Sequence, residues 1–362
     1  MTTNPSSPSS FSPPSSPSPS SSLSSPSPLS SLFGPVITGL TPEQLPEYIP
    51  NDAPVIAIVD EQVQEWFSHY FPAIPFITIQ AAETAKTLET VEKLTLALLS
   101  EEADRTFFLL GVGGGIVCDI TGFLASTYMR GIRFGFIPTT LLAQVDAALG
   151  GKNGVNVGGY KNITGTFTQP EFVLCTTDVL ATLPERVFNA GMSEVIKAAL
   201  IADASLFEFI ERHTPEIVNR KEPALGEIIR RAAQIKLDIV ARDEKEKGER
   251  RKLNLGHTLG HAIERSVKNI MHGEAVSIGL AYAARFSHRQ GWLTEADVFR
   301  ITALLERFRL PVDSIIPVED LQETMMKDKK KSGVLLHYIA LTAIGKAVEV
   351  DVNLPDLNFL HP

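Results

Sequence analysis

The strongest constraint on the fold is the alternation of apolar runs and helical segments in the first half of the chain. The run Val55–Asp60 predicts a buried parallel strand that ends in an acid. Further strands are predicted at Phe76–Ile79 and 106–110, with helical stretches at 61–70 and 86–99. Such alternation is typical of a parallel sheet that carries helices on both faces.

The pattern changes near residue 184, because helical periodicity then dominates. The predicted helices cover 188–202, 205–213, 224–243, 255–267, 275–289 and 295–307, and strand-like runs return only at 335–340 and 347–352. We therefore predict an α/β domain over 34–185 and a mainly α-helical domain over 186–362.

Residues 1–33 consist almost wholly of serine, proline and a few apolar residues. Such a segment buries too little apolar surface to offset the entropy of ordering, so we predict a disordered tail. It lacks the positive start and apolar stretch of a signal peptide. An organelle transit peptide is the alternative, but such peptides are rich in arginine and no lysine or arginine precedes Lys86.

Composition excludes several classes of protein. The 362 residues suffice for two domains, and the net charge of −9 argues against a nucleic-acid partner. We find no run of about 18 apolar residues, so we expect no membrane span. The two cysteines, Cys118 and Cys175, cannot form a disulfide framework, a usage that fits the cytoplasm.

Two glycine-rich segments are candidate phosphate sites. Residues 109–119 predict a strand, a glycine turn at Gly113-Gly114-Gly115 and the start of a helix, where backbone amides can meet a pyrophosphate. The spacing is not GxGxxG, and a tight turn alone also explains it. The second segment, 150–156, is predicted to be a loop that presents Lys152 to a phosphate or an oxyanion.

Histidines and acids in the second half are candidate metal ligands. Asn254, His257 and His261 have a spacing that places them on one face of a predicted helix, and His272 opens the next helix. His257 with His272 favours a metal site over hydrogen-bonded core histidines, and two imidazoles with a carboxylate form a catalytic zinc set. Spacing alone does not select Glu194 over other acids as the third ligand.

Taken together, residues 55–347 resemble the 3-dehydroquinate synthase family, within the sugar-phosphate cyclases. The resemblance rests on several long motifs that occur in the same order as in that family. They are 113–123, 127–131 (Thr-Tyr-Met-Arg-Gly), 137–146 (Ile-Pro-Thr-Thr-Leu-Leu-Ala-Gln-Val-Asp), 150–152 (Gly-Gly-Lys), 183–186 (Leu-Pro-Glu-Arg) and 253–258 (Leu-Asn-Leu-Gly-His-Thr).

The resemblance implies a reaction and its cofactors. The substrate would be 3-deoxy-D-arabino-heptulosonate 7-phosphate, and the products 3-dehydroquinate and phosphate, the second step of the shikimate pathway to chorismate. NAD would be transiently reduced, phosphate eliminated, the hydride returned and the ring closed by an aldol step. Zn²⁺, or Co²⁺, would be bound by Glu194, His257 and His272. The family also implies a homodimer, an NAD-binding domain over 34–185 and a zinc- and substrate-binding domain over 186–362.

The resemblance further implies two sets of contact residues. NAD contacts would fall on Asp60, Glu83, Lys86, Gly114, Gly115, Ile116, Val117, Cys118, Asp119, Thr139, Thr140, Lys152, Lys161, Val179, Leu180, Ala181 and Thr182. Substrate contacts would fall on Arg130, Asp146, Lys152, Asn162, Lys197, Lys236, Arg250, Asn254, His261 and one lysine of 329–331, here taken as Lys329. Catalytic roles are expected for His261 as proton shuttle and for Lys152, Asn254, Arg250, Lys197 and Lys236.

Three alternatives remain open at this point. The first is another cyclase, which would make a valiolone- or inosose-type ring. Against it, Asn162, Asn254, His261 and the lysine run 329–331 match the dehydroquinate synthase pattern. The second is an oxidoreductase like glycerol dehydrogenase, which shares the fold and the triple glycine. The third is a non-catalytic binding protein, which would not need three metal ligands and a cationic cluster.

Overall fold

A computed structural model describes residues 27–29, 34–317, 321 and 335–353 of the chain. Its strands, in chain order, are β1 (Ser27–Leu29), β2 (Val36–Thr38), β3 (Val55–Asp60), β4 (Phe76–Ile79), β5 (Phe108–Gly113), β6 (Arg133–Pro138), β7 (Lys152–Val157), β8 (Tyr160–Phe167), β9 (Val173–Leu174), β10 (Leu335–Ala343) and β11 (Lys346–Asn353). Seven of them form one sheet in the order β1-β2-β9-β6-β5-β3-β4. All neighbours in this sheet are parallel except β1 and β2.

The helices are α1 (Gln64–Tyr70), α2 (Leu88–Ser100), α3 (Gly115–Thr127), α4 (Glu185–Ala202), α5 (Ala204–Arg212), α6 (Thr214–Val218), α7 (Ala224–Arg242), α8 (His257–Ser266), α9 (His272–Arg289) and α10 (Glu295–Arg307). One sheet face packs against α2 and α3, through residues such as Leu94 and Ile120. The other face packs against α1 through Phe67. The predicted parallel sheet with helices on both faces is confirmed.

A separate hydrophobic cluster holds the helix-rich second half together. It joins α4, α7, α8, α9 and α10 through fully buried residues such as Val195, Ile228 and Leu304, and it includes the hairpin β10–β11. It also takes up Val179 and Leu180, which precede residue 185. The predicted mainly helical second half is confirmed, whereas the domain boundary at residue 185 stays a prediction.

The prediction of a loop at 150–156 is wrong. Residues 150–156 were expected to form a loop, but Lys152–Val157 is strand β7, which pairs with β8 through the two-residue turn Gly158-Gly159. Both turn glycines have positive φ, as a tight hairpin turn requires. Strand β7 packs on α3, where the missing side chain of Gly122 makes room for Asn153.

The predicted disordered tail, 1–33, lies outside the described residues except for Ser27–Leu29, which form β1 and therefore differ from the prediction. The lysines at 329–331 also lie outside them. Among the described residues, no helix combines the length and the apolar character that a membrane span needs.

Candidate active site

The glycine-rich turn lies at the carboxyl end of β5, where α3 begins. A Cβ on Gly113 would lie 2.4 Å from Val117 Cγ2, and one on Gly114 would lie 3.0 Å from Thr140 Cγ2. The amide of Thr139 donates to the carbonyl of Gly113 at 2.9 Å, which holds the ends of β5 and β6 together. The turn thus needs small residues for packing, and it directs the positive end of a helix dipole at the sheet edge, where a phosphate can bind.

The residues that follow the turn differ in how deeply they are buried. Those of Val117 and Cys118 are buried in the cluster under α3, so only their backbone can face a cofactor. Gly115 and Ile116 are half-buried. Asp60, at the end of β3, is buried and accepts from the Gln62 amide at 3.1 Å; burial raises the pKa of its carboxyl.

The predicted NAD residues at 179–182 lie in and after a 3-10 turn, Asp178–Leu180. Val179 and Leu180 are buried in the helical cluster, while Ala181 and Thr182 are exposed. The carbonyls of Leu180 and Ala181 accept from the Arg220 guanidinium at 2.6 and 2.8 Å. These two carbonyl groups already have partners within the chain.

A polar network joins three further predicted residues beside α3. The buried Lys86 ammonium donates to Asp119 Oδ2 and to Asn162 Oδ1, both at 2.5 Å. Burial raises the pKa of Asp119 to about 6, although Lys86 opposes that effect. The side chain of Asn156 connects the same region to Glu83, donating to its Oε1 at 2.8 Å. The predicted NAD residues Lys86, Asp119 and Glu83 thus lie together with the predicted substrate residue Asn162.

The three predicted metal ligands converge on one point between α4, α8 and α9. One ligand atom from each of Glu194, His257 and His272 lies within 4.8 Å of the others. Glu194 Oε1 is 3.7 Å from His257 Nε2 and 3.5 Å from His272 Nε2. These are the only three residues in the described part of the chain that form such a group.

Glu194 gives a test of whether a cation fits here. Its side chain is almost fully buried, and neither carboxylate oxygen accepts a well-aligned hydrogen bond, although Lys197 forms an ion pair with Oε2. Burial would raise the pKa of Glu194, but Lys197 and the two histidines lower it well below its usual value. A buried, ionised carboxylate beside two imidazoles matches the donor set of a divalent metal.

The two imidazoles differ in their surroundings. Burial, reinforced by Lys197, lowers the pKa of His257 to about 3, and its Nδ1 is 3.1 Å from the Leu255 carbonyl. Burial would also lower the pKa of His272, but two carboxylates raise it to about 10. A bound metal requires the neutral form of both rings, so metal and protons compete at His272.

The predicted common helix face for Asn254, His257 and His261 is wrong for Asn254. That residue ends a 3-10 turn, Glu249–Asn254, and Gly256 at φ +78° interrupts the chain before α8 begins at His257. A Cβ on Gly256 would lie 2.9 Å from the Leu280 amide nitrogen, so α9 packs too closely for a side chain at this position. His261 remains on α8, with its ring 5.5 Å from that of His257 and 6.3 Å from that of His272.

Buried cations surround the metal ligands. Lys236 donates to both Asp146 Oδ1 (2.6 Å) and the Asp146 carbonyl (2.7 Å). Burial would raise the pKa of Asp146, but Lys236 and Lys197 lower it. The Arg250 guanidinium is buried and donates to the Gly150 carbonyl at 3.1 Å. Lys197, Lys236 and Arg250 thus place three buried cations in this region, which suits a substrate with several anionic groups.

One residue of this site was missed from the sequence. Glu246 forms an ion pair with Lys152 and accepts from the Asn254 side chain at 2.7 Å, so it links two predicted substrate residues. It lies in the charged stretch 243–250, which offers four acids. Its positive φ of 57° marks it out in the structure, but nothing in the sequence selects it.

Arg130 is not joined to this network by the contacts of the described residues. It lies after the carboxyl end of α3, in the left-handed region at φ +70°, and it is exposed. Lys329 lies outside the described residues, so its predicted role stays a prediction.

The chain matches known proteins over most of its length. The family model for the 3-dehydroquinate synthase N-terminal part matches residues 76–190, and that for the C-terminal part matches 191–331. A 3-dehydroquinate synthase of Halorhodospira halophila is 45% identical over 75% of this chain and 78% of its own length. One of Pseudoalteromonas atlantica is 40% identical over 84% of this chain and 88% of its own length.

Solved structures of other cyclases share the fold at lower sequence identity. A 2-epi-5-epi-valiolone synthase of Streptomyces hygroscopicus, with NAD⁺ and Zn²⁺ bound, has a TM-score of 0.83 at 29% identity, over 92% of this chain and 97% of its own. A 2-deoxy-scyllo-inosose synthase complexed with carbaglucose-6-phosphate, NAD⁺ and Co²⁺ has a TM-score of 0.78 at 29% identity, over 88% and 94%. The two family models and the relatives at 40–45% identity show that the chain belongs to the 3-dehydroquinate synthase family.

Proposed function

We propose that this chain is a 3-dehydroquinate synthase, which converts 3-deoxy-D-arabino-heptulosonate 7-phosphate to 3-dehydroquinate and phosphate. The observation that carries the proposal is the match to relatives of that name at 40–47% identity over most of both chains. The converging carboxylate and imidazoles, surrounded by buried cations, support it because the reaction needs a metal and an anionic substrate.

Glu194, His257 and His272 would hold Zn²⁺ or Co²⁺, and the β5–α3 turn would hold the pyrophosphate of NAD. Bound metal polarises substrate hydroxyls, and bound NAD takes up and returns a hydride. The cofactors bound in the valiolone and inosose synthase structures support this assignment.

The remaining residues act on the substrate's charges and protons. Lys152, Lys197, Lys236 and Arg250 would bind its phosphate and carboxylate, with Asn162 and Asn254 orienting hydroxyls. Burial lowers the pKa of His261, so the free enzyme holds that ring neutral at pH 7, as a proton acceptor must be. These roles rest on the family resemblance and on the positions of the side chains.

The other cyclases are the main competing assignment. The valiolone and inosose synthases match this chain at 29% identity, well below the dehydroquinate synthases. A glycerol dehydrogenase of Sinorhizobium meliloti shares the fold, with a TM-score of 0.60, at only 15% identity. The cationic cluster argues against a simple dehydrogenase, since a polyol substrate has no charge for it to bind.

The test is phosphate release from the heptulosonate phosphate with NAD at a small fraction of the substrate concentration. We expect many turnovers per NAD and no net NADH, with loss of activity after chelation and recovery with zinc or cobalt. Sedoheptulose 7-phosphate and glucose 6-phosphate serve as matched controls and should release no phosphate. Accumulation of NADH in proportion to product would refute the assignment.

The oligomeric state, the location and the domain division complete the proposal. We infer a homodimer from the family resemblance and a cytoplasmic location from the two unpaired cysteines. We also retain the division near residue 185 into an NAD-binding and a metal-binding domain. Gel filtration and limited proteolysis would test the first and the last of these.

A further inference from the structure

Glu264 of α8 is a carboxylate that the predicted site does not include, yet it contacts the metal set. Its Oε2 lies 3.4 Å from Nδ1 of His272, and its Oε1 lies 3.1 Å from the Lys161 ammonium. The side chain is only 9% exposed. A buried carboxylate with one oxygen on each of two partners is held in a defined position.

A different carboxylate lies beside each of the two nitrogens of the His272 ring. Nε2 lies 3.5 Å from Oε1 of Glu194, and Nδ1 lies 3.4 Å from Oε2 of Glu264. The opposite nitrogen of the other ligand, His257, faces the Leu255 carbonyl instead. The two imidazoles therefore have different partners behind them, a neutral carbonyl for one and a charged carboxylate for the other.

We propose that Glu264 is a positioning residue that orients His272 for metal binding and strengthens it as a donor. Accepting the proton of Nδ1 leaves the lone pair on Nε2, the nitrogen that faces Glu194. A negative charge behind the ring also makes the imidazole a better ligand. This inference deepens the proposed function and rests on it, because it takes Glu194, His257 and His272 as the metal ligands.

Lys161 connects this arrangement to the hairpin. It lies in the exposed first half of β8, and its neighbour Asn162 contacts Lys86 beside α3. The ion pair with Glu264 thus joins the metal set on α8 and α9 to the region of the predicted NAD contacts. Because the ammonium partly offsets the charge of Glu264, its removal should leave metal affinity unchanged or increase it.

Metal affinity of the full chain tests the proposal without substrate or NAD. The protein is stripped with a chelator and titrated with Zn²⁺ in competition with a chromophoric chelator, and the visible spectrum of the Co²⁺ form is recorded. The variants are E264Q, E264D and K161M. The matched control is E274Q, which removes a carboxylate two residues from His272 that pairs with Arg186 instead.

We expect E264Q to bind zinc about 10–100-fold more weakly than the unchanged chain and to alter the Co²⁺ spectrum. E264D, which keeps the charge, should recover part of the affinity, and E274Q and K161M should not weaken binding. Zinc bound by E264Q within about threefold of the unchanged chain contradicts this inference alone. Failure of the unchanged chain to bind zinc contradicts the proposed function as well. Circular dichroism of each variant separates these results from misfolding, and E264D decides the case if E264Q does not fold.

Discussion

Replacing Lys236 with methionine should lower the free energy of unfolding, because it leaves the Asp146 carboxylate without its partner inside this site. Methionine keeps most of the side-chain volume on α7 but removes the ammonium from Asp146. Both partners are well covered, with side-chain exposures of 10% for Lys236 and 26% for Asp146. Breaking one partner of a buried pair leaves the other uncompensated, which typically costs about 3–5 kcal/mol.

Protonation of Asp146 sets an upper limit on that cost, because the carboxyl can take up a proton instead of staying charged. Protonating a carboxyl of ordinary pKa at pH 7 costs about 4 kcal/mol, and the remaining attraction of Lys197 reduces the penalty. We therefore expect K236M to lower the free energy of unfolding by about 3–4 kcal/mol at pH 7. Urea unfolding, followed by circular dichroism, measures the change.

The sign of the pH dependence follows from the same pair. In the unchanged chain the pKa of Asp146 is lowered, so its stabilising effect is present above the ordinary carboxyl pKa and is lost as pH falls. In K236M the pKa of Asp146 should rise, so the native state keeps a proton that the unfolded chain has lost. The difference in stability should then shrink to about 1.5 kcal/mol at pH 5.

Two further variants control this experiment. K93M removes an ion pair with Glu89 in which both side chains are 72% exposed, so the urea midpoint should not move. The double variant K236M/D146N removes the stranded charge and should recover stability and lose the pH dependence. A K236M chain as stable as K93M at pH 7 would refute the reasoning.

Two other predictions concern the close contact of Gly150 with Arg250 and the ionisation of the buried Asp119 carboxyl. Gly150 has φ +88°, and a Cβ there would lie 2.8 Å from Arg250 Nη2, so G150A should lower the thermal midpoint and raise KM. The control is G159A, at φ +83° with no atom within 4 Å of the added Cβ. It should cost about 1–2 kcal/mol of backbone strain but leave KM unchanged. Equal KM values for the two variants would contradict the Arg250 contact. Burial raises the pKa of Asp119 to about 6, so its ionisation should lower the free energy of unfolding by about 2.4 kcal/mol as pH rises from 4 to 7. The variant D119N should lose that decline in urea unfolding. A parallel decline in D119N would assign it to other groups.

Some of the fold was predictable because the signal is local. A buried parallel strand such as β3 is a continuous apolar run, and α10 carries apolar residues at helical spacing. Strand β7 was missed for the opposite reason. Glycine and asparagine have low strand propensity, and only pairing with β8 and packing on α3 make this segment a strand.

The candidate site shows the same division. His257 and His272 were predicted as a pair from the residues alone, because they lie close in sequence at helix starts. Glu194 required the resemblance, since it lies 63 residues before His257 and nothing local distinguishes it from other acids. Glu246 was not found by either route, because a short acidic loop offers several equivalent carboxylates.

The sequence by itself determined the α/β-then-helical plan, the glycine turn, the histidine pair and the family. These features depend on periodicity, on residue type and on motifs that persist along the chain. Only the tertiary structure decided which groups meet: Glu194 with His257, Lys236 with Asp146, and Glu264 with both His272 and Lys161. These contacts join helices and strands that are distant in sequence, and their charges act through short distances that only the packed chain defines.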